Sequence, residues 1–377
     1  MLEIERAEGS FLYDSSGRDI IDLISGVSVS NTGHRHPAVM AALNDQAGKY
    51  MHLMVYGEVI QSPQVQYAAR LASLLPPSLE SVYFVNSGSE AIEGAIKLAR
   101  RYTGRNEIIY FRNAYHGSTT GALSVQGSEE YRNAFRPLMP GTTMAEFNNP
   151  EAVQMISSST AAVLVEPVQA EAGVVQPEGS FLADLRSACS RHGALLIFDE
   201  VQTGFGRTGS LFSLYRYNVT PDILVLAKAL GGGLPLGAFI ASREVMSSLT
   251  HHPILGHITT FGGHPLCCAT GLASLEVIVR ENLAAAALNK EQLFRKELAG
   301  MPFRRIRGEG LLLAVVPEKP EIIPTMIARA PEFGLLLDYF LFCPTAFRIA
   351  PPLTISEDEI RLACQRLGTL IKAIGEA

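Results

Sequence analysis

The stretch Ala194-Leu195-Leu196-Ile197-Phe198-Asp199-Glu200 places two carboxylates directly behind a continuous apolar run. Such a short run, bounded by polar residues, is typical of a strand buried on both faces. The segment before it repeats apolar residues at helical spacing over 181–189, and a second apolar run follows at 223–227. Strand and helix therefore alternate, which predicts a mostly parallel sheet with helices on both faces.

Similar runs extend the pattern along the middle of the chain, at 81–85, 107–111, 161–165 and 238–241. From about Pro265 the pattern changes to long helices and short strands, with a final helix predicted over 357–374. A hairpin-like stretch at 10–23 is expected to join this C-terminal part. We expect residues 46–269 to form a large α/β domain, and residues 1–45 with 270–377 to form a smaller α+β domain.

Composition excludes several classes of protein. The 377 residues are 47% hydrophobic and 18% charged, which suits a large core and not a disordered chain. The formal net charge is −6 without a basic stripe, so we expect no nucleic-acid partner. The five cysteines form no C-x-x-C pair, so no metal site is expected and a reducing cytoplasm suits them. Neither a signal peptide nor an apolar membrane span is visible, so no membrane partner is expected.

The residues that follow the apolar runs are informative because ligands of open α/β sheets bind beyond the carboxyl ends of the strands. The first run leads into Asn86-Ser87-Gly88-Ser89-Glu90, where Ser87 and Glu90 have the spacing of a capping box. The amides of Ser87, Gly88 and Ser89 at a helix N-terminus would cradle a phosphate. A simple helix cap is the alternative interpretation.

Three other strand ends carry Asp199, Lys228 and Tyr115. A partly desolvated lysine becomes an amine nucleophile, a carboxylate keeps a ring nitrogen protonated, and an aromatic ring stacks on a flat cofactor. Singly, the charged residues are more often halves of structural ion pairs, and the tyrosine an ordinary core residue. Together with a phosphate cradle they meet the four needs of pyridoxal phosphate.

A rival motif, Gly204-Phe205-Gly206-Arg207-Thr208-Gly209, matches the dinucleotide fingerprint G-x-G-x-x-G. That fingerprint requires glycines immediately after the first strand, a following helix and an acidic residue about 20 positions further on. Five residues intervene between the strand and the first glycine here, and the nearest acid is Asp222. We therefore disfavour a nicotinamide cofactor.

At these residues the chain resembles the class III pyridoxal-phosphate aminotransferases, which include acetylornithine, ornithine and 4-aminobutyrate aminotransferases. The resemblance covers almost the whole chain, and the motifs that carry it lie at 9–14, 33–37, 86–90, 115–117, 166–171, 199–204, 228–233 and 348–353. It implies fold type I, in which the large domain binds pyridoxal phosphate on a mostly parallel, seven-stranded sheet beside a smaller α+β domain.

The resemblance implies a role for each matching residue. Lys228 would be the Schiff-base lysine and Asp199 the partner of the pyridinium nitrogen, so these two are the expected catalytic residues. Tyr115 would stack on the ring. The remaining expected cofactor residues are Ser87, Gly88, Ser89, His116, Glu166, Val201, Gln202 and Thr260.

The resemblance also implies partners and substrates. Thr260 would reach the phosphate of the neighbouring subunit, which implies a homodimer with a shared active site. Arg348 would bind the α-carboxylate of glutamate or 2-oxoglutarate, and Glu171 would pair with Arg348 when the other substrate is bound. A fixed salt bridge is the alternative for this pair.

Two positions depart from the family pattern. Ser118 stands where acetylornithine and ornithine enzymes have an arginine, and Val27 stands where ornithine enzymes have a tyrosine. We expect ping-pong transfer of an amino group from an amino acid or ω-amine donor, acetylornithine- or ornithine-like, to a 2-oxo acid. The alternatives are an aminomutase, racemase or decarboxylase on the same cofactor, or a non-catalytic binding protein.

Overall fold

A computed structural model describes residues 2–375 as three β-sheets surrounded by helices. The strands are β1 (Ile4–Glu8), β2 (Phe11–Asp14), β3 (Asp19–Asp22), β4 (Ser81–Val85), β5 (Glu107–Phe111), β6 (Thr142–Ala145), β7 (Thr160–Val165), β8 (Leu195–Asp199), β9 (Ile223–Leu226), β10 (Gly237–Ala241), β11 (Phe303–Glu309), β12 (Leu312–Pro317), β13 (Leu335–Leu336), β14 (Asp338–Phe340) and β15 (Cys343–Ile349). The longer helices span Pro37–Ala47, Ser62–Ser73, Gly88–Thr103, Phe181–His192, Pro265–Arg280, Leu283–Glu297, Ile323–Arg329 and Glu357–Gly375.

Shorter helical segments connect these elements. They lie at Ser25–Ser28, Thr120–Ser124, Glu129–Arg132, Asn133–Phe135, Glu151–Gln154, Ser213–Arg216, Lys228–Gly231, Arg243–Ser247, Pro320–Ile322 and Ala330–Phe333. None of the helices within residues 2–375 combines the length and the apolar character needed to cross a bilayer.

The central sheet has seven strands in the order β4-β10-β9-β8-β7-β5-β6. Its strands run parallel except β10, which is antiparallel to both β4 and β9. The prediction of a mostly parallel sheet is therefore confirmed. The seventh strand, β6, was not predicted because Thr142-Thr143-Met144-Ala145 is a half-buried edge segment without an apolar run.

The other two sheets involve the N- and C-terminal parts of the chain. One is antiparallel, with the order β11-β12-β15-β14, and the other has the order β1-β2-β3-β13. Because β13 pairs in parallel with β3, the N-terminal hairpin is hydrogen-bonded to the C-terminal part of the chain. The α/β class with a separate smaller sheet region is thereby confirmed.

The predicted domain boundaries fall inside helices. The division near residue 45 lies within Pro37–Ala47, and the division near residue 269 lies within Pro265–Arg280. The chain therefore passes both predicted boundaries within a helix. The two helices also pack against each other. The exact division into domains stays a prediction.

The helix Gly88–Thr103 packs on the central sheet through a small residue. Gly94 faces the Phe239 ring of β10, and a Cβ atom at Gly94 would lie 2.3 Å from Phe239 Cε1. Gly368, in the helix Glu357–Gly375, has more space, because its nearest neighbour would be Met301 Cε at 3.5 Å. Replacing each glycine by alanine therefore distinguishes the effect of close packing, at Gly94, from the effect of helix propensity, at Gly368.

We expect Gly94→Ala to lower the free energy of unfolding by about 1–3 kcal/mol, because the added methyl group overpacks the contact with Phe239. Gly368→Ala is the matched control and should raise it by about 0.5–1 kcal/mol through helix propensity. Urea unfolding followed by circular dichroism measures both. Stabilisation by Gly94→Ala would show that the sheet accommodates the methyl group.

Candidate active site

A cavity of about 410 Å³ opens at the carboxyl ends of the central parallel strands. It is lined by nearly all of the predicted cofactor residues: Ser87, Gly88, Ser89, Tyr115, His116, Glu166, Asp199, Val201, Gln202 and Lys228. The lining also includes Asn86, Gly117 and Gly233, which lie in the predicted motifs without an assigned role, and residues that sequence reasoning missed: Val29, Ala227, Leu234, Pro235 and Leu236. The residues that were predicted from the ends of separate strands therefore line one cavity.

The Ser87 loop forms the N-terminus of a 16-residue helix. Ser87 Oγ accepts a hydrogen bond from the amide of Glu90 at 3.2 Å, as the capping spacing predicts. The Glu90 carboxylate accepts from the backbone and side-chain nitrogens of Asn86, both at 2.8 Å, and not from Ser87. The first amides of a helix have no carbonyl partner within the helix, so they point outward and can bind an anion.

Gly117 lets the Tyr115 loop approach this helix end closely. Its φ of +125° lies in a region that side chains disfavour, and a Cβ atom would be 2.1 Å from Ser89 Oγ. The glycine therefore brings the loop that carries Tyr115 and His116 against the Ser89 end of the helix.

Asp199 is the last residue of β8 and is buried together with His116. Its Oδ2 atom lies 2.7 Å from His116 Nδ1, and its Oδ1 atom accepts a hydrogen bond from the Val201 amide at 3.0 Å. Both oxygens are thus held in place. The other ring nitrogen of His116, Nε2, is buried without a hydrogen-bond partner among the described residues.

Glu166 directly follows β7 and is a second buried carboxylate in the cavity. It accepts hydrogen bonds from the amides of Tyr115 at 3.1 Å and Ala170 at 3.3 Å. Burial, followed by the charge of Asp199, raises the pKa of Glu166 well above its ordinary value. Burial thus stabilises the protonated form of Glu166 relative to a carboxyl group in water.

Lys228 follows β9 by two residues and adopts a left-handed backbone conformation with φ +52°. Its amine donates a hydrogen bond to Gln202 Oε1 at 2.9 Å, while Gln202 Nε2 is buried without a partner in the described part of the chain. Burial lowers the pKa of Lys228 to about 8, and the charge of Glu171 opposes that shift. A non-glycine residue in this backbone region is a frequent feature of active sites.

Arg348 and Glu171 form the ion pair that the sequence predicted. Arg348 is buried in β15, and its Nη2 atom donates to Glu171 Oε1 at 2.7 Å and Oε2 at 2.8 Å. The guanidinium also lies 4.6 Å from the centre of the Phe340 ring. Its Nε and Nη1 atoms are buried without partners within residues 2–375, so the pair satisfies only part of the guanidinium.

Five predicted residues lie outside the cavity lining: the paired Arg348 and Glu171, and also Thr260, Ser118 and Val27. Thr260 is exposed, and Ser118 is exposed with its Oγ atom 3.3 Å from Tyr115 Oη. Val27 is half-buried in a turn with positive φ, and Val29, two residues later, lines the cavity instead. No signal in the sequence distinguishes Val29 from Val27, because the distinction depends on the shape of that turn.

The rival motif does not form a dinucleotide site. Residues 204–209 continue as turns after Asp199 and do not open a helix, so the structural context that the fingerprint requires is absent there. The side chain of Arg207 within the motif is fully buried. Within residues 2–375, no group of three or more His, Cys, Asp or Glu side chains is placed to bind a metal ion.

A family model described as aminotransferase class-III matches residues 1–371. The chain belongs to the class III aminotransferases. It is 40% identical to an acetylornithine aminotransferase from Methanopyrus kandleri, over 98% of this chain and 94% of that protein. It is also 40% identical to a succinylornithine transaminase from Yersinia pseudotuberculosis, over 98% of this chain and 92% of that protein.

Solved structures agree with the sequence comparison. An ornithine aminotransferase from Toxoplasma gondii superposes with a TM-score of 0.90 and 32% identity, covering 100% of this chain and 91% of that chain. A Pseudomonas amine transaminase described as PLP-bound superposes with a TM-score of 0.91 and 28% identity, covering 100% and 95% of the two chains. The protein is a pyridoxal-phosphate-dependent aminotransferase of fold type I, as the sequence predicted.

The residues of the cavity fit this cofactor. The helix end at Ser87 to Ser89 suits a phosphate, and the paired Asp199 and His116 suit a ring nitrogen. Two buried polar atoms that face no protein partner among residues 2–375, His116 Nε2 and Gln202 Nε2, belong to residues of the same lining. Such atoms are costly to bury unless another group bonds to them, so they favour a polar ligand here.

We expect the Lys228 amine to react with acetic anhydride with a midpoint near pH 8 once the cofactor has been removed. Burial favours the neutral amine, so the reactive fraction increases as the pH rises through the pKa of about 8. Competitive labelling followed by mass spectrometry measures the reaction, and the exposed Lys49 serves as the internal reference for the reagent.

Glu171→Gln provides the matched variant. Removing a negative charge that favours the ammonium form should move the Lys228 midpoint to lower pH. A midpoint near the ordinary lysine pKa of about 10.4 in the unaltered protein would contradict the desolvation of the amine.

Proposed function

We propose that this aminotransferase moves an amino group from an acetylornithine- or ornithine-like donor to 2-oxoglutarate by a ping-pong mechanism. One observation carries the proposal: the Arg348 guanidinium, whose charge acts on Lys228, is paired with Glu171 yet keeps two buried nitrogens without partners within residues 2–375. An arginine of this kind can hold a carboxylate bidentately when Glu171 moves away. The relatives named above are acetylornithine and succinylornithine enzymes, which supports the choice of donor class.

The cofactor supplies an aldehyde that accepts the amino group and a protonated ring that accepts electrons from the substrate carbon. The helix amides of Ser87, Gly88 and Ser89 would bind its phosphate, and Asp199, held by His116, would keep its ring nitrogen protonated. The remaining contacts to the cofactor ring and its oxygen would come from Tyr115, Val201, Gln202 and Glu166.

Lys228 would act first as the covalent attachment point and then as the base. As a free amine, Lys228 would take the proton from the substrate carbon that carries the amino group and pass it on to the cofactor. A base with a pKa near the working pH performs such transfers best, and the pKa of Lys228 is about 8. Gln202, whose Oε1 atom lies 2.9 Å from the amine, orients it.

Arg348 and Glu171 would let one site accept two different substrates. With the donor bound, Glu171 neutralises Arg348; with 2-oxoglutarate bound, the α-carboxylate of the oxo acid takes the place of Glu171. The buried guanidinium thus keeps a negative partner in both half-reactions, which a buried charge requires.

The donor end of the site differs from that of the family's ornithine-type enzymes. Ser118 offers a hydroxyl where those enzymes have an arginine, and Lys228 is the only Lys or Arg among the residues that line the described cavity. We therefore propose that the donor presents a terminal amine and that its distal end is held by neutral groups near Ser118 and Val27.

A homodimer in the cytoplasm is part of the proposal. A groove of about 640 Å³ is lined by apolar residues of segments 55–65 and 254–259, among which Ile60 and Ile254 are 89% and 79% exposed. We call the surface formed by these two segments the apolar groove. Exposed apolar area of this kind favours association, and exposed Thr260 directly follows the second segment. The five cysteines are free and buried, which suits a reducing compartment.

We expect Lys228→Ala to lower the rate of amino transfer by about 10³-fold or more, because the base and the attachment point are both lost. Asp199→Asn should lower it by about 10²-fold while cofactor remains bound. Absorbance spectra of the cofactor, recorded with one donor at a time and no acceptor, measure the first half-reaction with N-acetylornithine, ornithine and 4-aminobutyrate.

Asp222→Asn is the matched control, since Asp222 directly precedes β9 and pairs with Arg186 at the opposite end of the sheet from the cavity. It should leave the cofactor spectrum unchanged. Release of carbon dioxide, or more than one turnover per cofactor without any oxo-acid acceptor, would replace transamination with decarboxylation or with an aminomutase or racemase reaction. Ordinary turnover by Lys228→Ala would overturn its assignment.

We expect Ile60→Lys combined with Ile254→Lys to convert the dimer into monomers, because two charges would be buried in the apolar groove. Light scattering coupled to size-exclusion chromatography measures the mass. Met155→Lys, which changes a 36% exposed residue shortly before β7, is the matched control and should remain dimeric. A monomeric wild-type protein with full activity would contradict the shared site.

A further inference from the structure

Arg207, from the glycine-rich motif that binds no dinucleotide, is fully buried and joins separate parts of the chain. Its Nη1 atom donates to the carbonyls of Leu311 at 2.9 Å and Pro351 at 2.6 Å. Its Nη2 atom donates to Ser25 Oγ at 3.2 Å and to Asn31 Oδ1. One guanidinium therefore connects the N-terminal segment to two places in the C-terminal part.

Both C-terminal contacts lie next to the ends of β12 and β15, the strand pair that holds Arg348. Leu311 immediately precedes β12, and Ala314 of β12 is paired with Arg348 of β15. Pro351 lies three residues after Arg348 and two residues beyond the end of β15. The Leu311 amide also donates to the Arg207 carbonyl at 2.9 Å, so the start of β12 is held from both directions.

The N-terminal contact lies on a strained turn. Residues Ser25–Ser28 all have positive φ, between 48° and 66°, although only Gly26 is a glycine. L-residues adopt this conformation only when surrounding contacts impose it. Ser25 Oγ donates to the carbonyl of Ala350 at 2.7 Å, so the turn is tied to the same strand end that Arg207 holds.

We propose that Arg207 is a positioning residue that sets the place of the Arg348 guanidinium, by fixing the end of its strand against β12 and the left-handed turn. This inference rests on the proposed role of Arg348 in binding the oxo acid. Arg207 does not touch that substrate. Its planar fork of donors reaches four acceptors at once, which the single ammonium of a lysine cannot reproduce.

The test compares Arg207→Lys with Arg295→Lys. Arg295 also joins backbone carbonyls, those of Ile306 at 3.0 Å and Gly308 at 2.9 Å, but both lie on β11, which does not pair with β15. Isothermal calorimetry of each holoenzyme with glutarate, an unreactive dicarboxylate of the length of 2-oxoglutarate, measures binding directly. Stopped-flow absorbance measures the donor and oxo-acid half-reactions separately.

We expect Arg207→Lys to weaken glutarate binding by about 10-fold, since small displacements of a binding group cost affinity steeply. The KM for 2-oxoglutarate should rise by a similar factor, while the donor half-reaction changes by less than about 2-fold. Arg295→Lys should leave both half-reactions and glutarate binding within about 2-fold. Changes confined to glutarate binding and to the half-reaction with 2-oxoglutarate would distinguish positioning of Arg348 from a general loss of stability.

Two outcomes overturn the inference, and they differ in what else they remove. If Arg348→Ala abolishes glutarate binding while Arg207→Lys leaves it unchanged, Arg207 has no positioning role and the proposed function stands. If Arg348→Ala leaves glutarate binding unchanged, the role of Arg348 in the proposed function fails and the inference fails with it.

Discussion

The burial of the Lys228 amine at the carboxyl edge of the central sheet is the constraint on which the rest of the site depends. An ammonium removed from water is destabilised, which lowers the pKa of Lys228 to about 8. The negative charges of Glu171, Asp199 and Glu166 oppose this shift, and the charge of Arg348 reinforces it. The amine is thereby kept near the point where it both holds and releases a proton at neutral pH.

Each carboxylate that surrounds the amine is itself buried and has a different kind of partner. Asp199 pairs with His116, Glu171 with Arg348, and Glu166 with backbone amides. Burial, followed by the charge of Asp199, raises the pKa of Glu166 well above its ordinary value, and the two backbone amides oppose that shift. The carboxylates around the amine thus differ in the partners that hold them, which gives each a different environment.

The parts of this site that follow long apolar runs could be predicted from the sequence. An apolar run indicates a buried parallel strand, and the residue directly after it indicates what lies at the end of that strand. Lys228, Asp199 and the Ser87 loop belong to this group. Val29 and the segment 234–236 were missed, since their place in the cavity depends on turns that bring distant segments together. The left-handed turn was unreadable for the same reason: three of its four residues are not glycine, and only tertiary contacts impose their conformation.

The glycine-rich motif shows why spacing alone does not decide a function. In a dinucleotide fold the glycines let the backbone approach a pyrophosphate. Here Gly206 and Gly209, at φ +88° and +90°, let it approach protein instead, since a Cβ at Gly209 would lie 2.3 Å from Leu288 Cδ2. The same conformational freedom that accommodates a phosphate elsewhere lets the chain turn tightly on both sides of Arg207, whose side chain enters the core between the N- and C-terminal parts of the chain. The deciding information is the element that follows the glycines: turns in place of a helix leave no aligned amides to bind a phosphate, and the motif serves packing.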